Sequence, residues 1–387
     1  MNGICQKSAA VLMIIVSFAL LILFFSLNTL NVHAYSDEEM LSDQSEFVGV
    51  GKLFSSLPEQ TKKELYDLGI DTQDVTSTTK ITLTDVFTSV MKSVSATLPE
   101  PLGAVSVCMG MLLLCALAQG MNITLGSRPL SGISAAVGSL CLCTVLCIPL
   151  CSLAEKCSEL IEGACSFMLC YIPVLAGLLA FCGSSSAAAS YYVSLNTAAE
   201  FASAISSKAV LPLTNTFLAL SFGAALAPGM KLTPLFSAIY KLSVRILSFA
   251  MGIFAAVLSA QTLVSVSLDN VGKRALKFAA ASFVPVVGSV LGETISAFGG
   301  SLELLRRGAG VLVLISSAAL LLPLLVRCTV WQIMLYFLSA SAQILSLDNM
   351  RSTIEAAASV VRMLTALLLC MLSLFIISTV TVILAGS

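Results

Sequence analysis

The sequence predicts an all-α fold: a polytopic transmembrane helical bundle preceded by a small exported helical region. Three observations carry this. The 387 residues are 57% hydrophobic and only 11% charged, against the roughly 45–50% apolar and 25% charged of water-soluble domains. From Leu102 onward apolar runs alternate with short polar stretches, at spacings suited to helices of about 20 residues crossing a hydrocarbon core of about 30 Å. The period-2 alternation of a membrane barrel is absent, and open strands in lipid would leave backbone groups unpaired.

Charge and composition narrow the function classes. Twenty basic and 21 acidic side chains nearly cancel, so no broad positive field draws the chain to nucleic acid. The one histidine is His33, inside a segment expected to be removed. Ser-His-Asp and Cys-His catalysis and imidazole-rich metal sites are thereby excluded. No catalytic residue, cofactor or metal is predicted, and the chain reads as a non-enzyme.

Residues 1–34 have the three-part layout of a secretory signal peptide: Lys7, an apolar run from Ala9 to Leu27, and Val32-His33-Ala34 before Tyr35. Cleavage is expected after Ala34. Residues 35–100 form an acidic extracytoplasmic region, with eleven Asp or Glu against five Lys between Tyr35 and Leu98. Leu57-Pro58-Glu59 and Asp71-Thr72 punctuate it into short helices. A region this small buries only a modest core, so it is expected to pack on the membrane domain or on a partner.

Residues 101–387 form the multi-span domain. Spans are expected near 102–121, 130–153, 160–182, 201–226, 235–266, 308–326, 329–347 and 359–384, with a broken or re-entrant segment near 278–300. Basic residues set orientation through their cytoplasmic bias. Lys273, Arg274, Lys277, Arg306 and Arg307 bracket 278–300 on both sides. Loops 269–277 and 301–307 are therefore expected on the cytoplasmic side, together with Arg128 and the loop 348–355.

Ionisable residues inside apolar spans are costly and point to function. Lys241 and Arg245 lie one helical turn apart near the start of a span, Glu200 and Lys208 near the start of another, and Glu293 within the broken segment. Pro285 stands at the head of that segment, where a missing donor kinks a helix. Gly288, Gly292 and Ser296 follow at i, i+4, i+8, a small-residue stripe of the kind that lets helices approach in lipid. Thirteen cysteines include ten between Cys108 and Cys182. Cys143, Cys147 and Cys151 share one helix face. No pair has CxxC spacing, so they read as small hydrophobes filling helix contacts. Cys157, beside Glu155 and Lys156, is expected in an exposed outer loop. The stretch from Gly183 to Ser190 reads as a small-residue connector.

The run Ser267-Leu268-Asp269-Asn270-Val271-Gly272-Lys273-Arg274-Ala275-Leu276-Lys277-Phe278, followed by Ser282-Phe283-Val284-Pro285-Val286-Val287-Gly288, resembles the stage III sporulation protein AE family of endospore-forming bacteria. The Gly-rich continuation through Gly292, Gly299-Gly300 and Gly308-Ala309-Gly310 extends the resemblance. It implies a multi-pass protein in the mother-cell-derived membrane around the forespore. Such a protein would join other products of its operon and a forespore membrane partner in a hetero-oligomeric, secretion-like channel complex required for sporulation. The alternative from a different class is a self-contained secondary transporter or permease using Glu293 with Lys241 and Arg245.

Overall fold

The computed structural model describes residues 98–125, 128–181, 185–205 and 288–384, with isolated helical residues such as Lys241 and Arg245 elsewhere. The signal segment, nearly all of the acidic region, Lys273, Arg274, Lys277 and Pro285 lie outside the described residues, as do most of the spans expected at 201–226 and 235–266. Among the described residues the fold is helical with no strand: α1 Pro99–Leu125, α2 Arg128–Phe181, α3 Ser185–Ile205, α4 Gly288–Ile344 and α5 Asp348–Leu384. Four of these helices contain stretches long and apolar enough to cross a membrane: Pro99–Gly120, Ala136–Phe181, Gly308–Ile344 and Asp348–Val380. The chain is a membrane protein.

Two helices are far longer than the sequence predicts. The spans expected at 130–153 and 160–182 are one 54-residue helix, and those at 308–326 and 329–347 belong to one 57-residue helix that already begins at Gly288. The reason lies in the buried seam. Leu150, Leu153, Cys157, Ile161, Ala164, Met168, Tyr171 and Leu175 are all buried, at steps of three and four residues, so one face stays apolar through the charged stretch. Glu155, Lys156, Glu159 and Glu162 occupy the opposite, exposed face. Averaged along the chain, the charges look like a loop; resolved by face, they are the wet side of a helix. In α4 the seam through Leu324, Cys328, Trp331, Leu335, Leu338 and Ala342 carries the helix past Arg327 in the same way.

Continuity of α4 also revises the orientation reading. Arg306–Arg307, inside α4, and the 345–347 turn at its end are joined by one continuous helix, about 55 Å apart at 1.5 Å per residue. Residues 301–307 and 348–355 therefore do not lie on one side of a bilayer joined by two crossings. Residues 288–300, where a broken segment is expected, are helical and run on unbroken into the rest of α4; the chain before Gly288 lies outside the described residues. Ser185 to Ser190, expected as connector, is the first part of α3.

The helices pack with defined directions. α4 and α5 form an antiparallel hairpin closed at 345–347, where Ser346 takes a left-handed φ of 57°. The Leu347 N–H bonds to Ala342 O at 3.0 Å and the Ser346 N–H to Gln343 O at 3.1 Å, the bond pattern of a Schellman stop. α5 lies parallel to α2: Met350 meets Gly138 near one end, and Phe375 packs on Phe167 and Tyr171 near the other. α5 is apolar and buried on most of its circumference beyond Ser359, which marks it as the central helix.

Gly138 sits where α1, α2 and the start of α5 converge. A Cβ there would overlap Met350 Cε and Cys115 Sγ, so a larger residue forces the ends of those two side chains to move. Gly138→Val should destabilise the bundle by about 1–3 kcal/mol through overpacking. Thermal unfolding of the detergent-solubilised protein measures this, and Gly110→Val, where a Cβ meets nothing within 4 Å, is the control.

Candidate functional site: a charged belt across an apolar bundle

The seams bring the charged groups of four helices to one height. Cys157 of α2 and Cys328 of α4 are buried in one core and near enough to influence each other electrostatically, which puts them at a similar height. At that height Arg327 pairs with Glu100 at the start of α1. Within about two turns lie Glu155, Lys156, Glu159 and Glu162 on α2 and Arg362 on α5, whose guanidinium donates to the Tyr336 hydroxyl at 3.2 Å. Under the charges, Gln332 Nε2 donates to Thr365 Oγ1 at 2.5 Å in a fully buried α4–α5 contact. Trp331, the single tryptophan, is wholly buried here.

A second polar cluster lies about two to three turns further along α2. The Tyr171 hydroxyl is 2.8 Å from Ser378 Oγ and the Tyr191 hydroxyl 3.0 Å from the same atom, so one serine of α5 ties α2 to α3. Phe167, Tyr171 and Phe375 surround it, with ring centroids 5.6–5.9 Å apart. Offset aromatic contacts of this kind add to the burial of the rings themselves.

Of the predicted site residues, Lys241, Arg245, Gly288, Gly292 and Glu293 fall within described helix. Lys241 and Arg245 are helical and exposed. Gly288, Gly292 and Glu293 occupy the first two turns of α4, and their side-chain surroundings lie outside the described residues. Glu200 is exposed on α3 and accepts a hydrogen bond from Asn196 Nδ2 at 3.1 Å. Cys157, expected exposed, is fully buried in the α2 seam, because the helix runs through it. Cys143 and Cys157 fill helix contacts, while Cys147 Sγ stands 3.7 Å from Cys151 Sγ one turn on.

Sequence reasoning passed over Arg327 and Arg362, and with them Glu100. The signal was present, since an arginine within an apolar run is the expensive residue to explain. Arg327 fell between two expected spans and was absorbed as loop.

Comparison with known proteins settles the relationship. The family described as stage III sporulation protein AE matches residues 69–386, most of the chain. This chain belongs to that family. A curated relative, stage III sporulation protein AE of Bacillus subtilis (strain 168), is 26% identical over 155 residues, covering 40% of this chain and 39% of that protein. The matched stretch is thus about two-fifths of either length. No solved structure matches the chain. As a member of the stage III sporulation protein AE family, it is a sporulation-related membrane protein.

Proposed function

We propose that the chain is a non-enzymatic subunit of a transenvelope, secretion-like channel complex between mother cell and forespore. In this reading it lies in the mother-cell-derived membrane and assembles with other stage III proteins of its operon and a forespore membrane partner. Family membership over residues 69–386 carries the reading. The geometry supports a subunit rather than a free-standing carrier. Within α2 the candidate membrane stretch Ala136–Phe181 is 46 residues long, about 69 Å of helix, more than twice a hydrocarbon core of about 30 Å. Large apolar side chains stay uncovered along it and on α1, including Leu114 at 68%, Leu117 at 67% and Ile148 at 74% exposure. Exposed apolar area beyond what one bilayer covers marks contact with other protein.

The test is affinity purification of the full-length tagged chain from sporulating cells under mild detergent, with identification of what comes with it. Stoichiometric recovery of other stage III membrane proteins, together with arrest of sporulation on deletion, is the expected result. A chain that purifies alone and moves a solute across proteoliposomes unaided would establish the permease instead.

A further inference from the structure

Lys241 and Arg245 differ in their surroundings from other described cations. Arg327 has Glu100 and Arg351 has Glu355 as ion-pair partners, and Lys156 follows Glu155 directly on the exposed face of α2. Neither Lys241 nor Arg245 takes part in an ion pair among the described residues. The sequence around them offers no acid either. From 201 to 268 the chain holds Lys208, Lys231, Lys241 and Arg245 and no Asp or Glu.

The two cations share their face with large apolar side chains. The described residues at 238, 239, 241, 242, 245, 246, 249 and 252 are all helical. With 3.6 residues per turn, Lys241, Leu242, Arg245 and Phe249 fall within about 100° of arc. All four are exposed, Leu242 at 55% and Phe249 at 69%, and Ile246 beside them at 43%. A Cβ added to Gly252, on the same face, would meet nothing within 4 Å. Ile239, off to one side of this arc, packs against the hydrophobic core. The segment thus rests on the bundle by one side and presents cations and apolar groups together on another.

That combination specifies what covers it. Like charges at i, i+4 repel each other, and either cation is costly in hydrocarbon. An anion between them at headgroup level relieves both, with Ile246 and Phe249 left against acyl chains. A lysine and an arginine one turn apart supply charge and N–H donors to a single phosphate. A zwitterionic headgroup would bring a third cation to the pair, whereas a net-anionic one does not. We propose that Lys241 and Arg245 hold the phosphate of an anionic phospholipid whose acyl chains run along Ile246 and Phe249.

The full-length chain, purified in a mild non-ionic detergent, is incubated with equal amounts of phosphatidylglycerol and phosphatidylethanolamine in mixed micelles, and the lipid that stays with it is quantified by mass spectrometry. Phosphatidylglycerol should be retained with a preference of about ten-fold, the scale expected of two cations facing an anionic headgroup. Excess inorganic phosphate should not displace it, because the acyl chains contribute to binding. The double variant Lys241→Gln/Arg245→Gln should lose most of the preference, while Lys156→Gln keeps it. Both substituted sites are exposed, so thermal unfolding followed by Trp331 fluorescence should show the double variant folded as the parent is. Equal retention of the two lipids, a double variant that keeps the preference, an equal loss in Lys156→Gln, or displacement by inorganic phosphate would each overturn the assignment.

Discussion

Ser378→Ala should be among the most damaging single-atom changes in the protein, lowering stability by about 2–4 kcal/mol. Ser378 is fully buried, and its hydroxyl serves the phenols of both Tyr171 and Tyr191. Alanine removes one oxygen and leaves two buried phenol hydroxyls without the partner they share. Each unsatisfied buried group costs about 1–3 kcal/mol, whereas a hydrogen bond removed together with its partner costs nearer 1 kcal/mol. Tyr191→Phe alone should therefore be mild, and Tyr171→Phe placed in the Ser378→Ala background should recover part of the loss. Thermal unfolding followed by Trp331 fluorescence reads all three variants. If Ser378→Ala proves no worse than Tyr191→Phe, the serine is not the common anchor.

Cys157→Asp should be more damaging still, by about 3–5 kcal/mol, the cost of leaving a buried charge without a partner. Its side chain is enclosed in the α2 seam, in the same buried core as Cys328. Lys156→Gln, one residue away on the exposed face, should leave the melting temperature unchanged. The contrast separates a helix from a loop at this place. In a solvated loop, Asp at 157 would be as harmless as Gln at 156.

That pair of residues shows how far the sequence could be read. The helical character and the apolar mass of the chain follow from composition, since lipid permits little else. The break expected between 153 and 160 came from hydropathy summed over both faces of the helix, which cannot distinguish a wet face from a wet loop. The 3–4 spacing of Leu150, Leu153, Cys157, Ile161 and Ala164 was in the sequence all along, and reading it by face yields the continuous helix. The register of the bundle was not readable at all. Tyr171 and Ser378 are separated by 207 positions, and Glu100 and Arg327 by 227. Serine and tyrosine are common in apolar helices, so nothing local distinguishes the ones that meet. Arg327 is different, for its cost in an apolar run was legible and only its partner was not.

The family resemblance and the geometry concern different levels of the same protein. Membership speaks of sporulation; the seams, the belt and the uncovered faces of α1 and α2 describe a rod with more apolar surface than a membrane accounts for. Both lead back to the unbroken passage of α2 through its charged middle, on which the register of the belt and the burial of Cys157 depend. Ile148 and Leu169 are exposed on either side of that passage, and they are separated by 21 residues. Spin labels at these two positions, in a background with the native thiols replaced, should give a distance near 32 Å by pulsed electron resonance, the length of 21 residues of continuous helix. A distance of about 15 Å or less would mean that the chain turns back between 154 and 159, and the two halves of α2 would then be neighbouring spans in one bilayer.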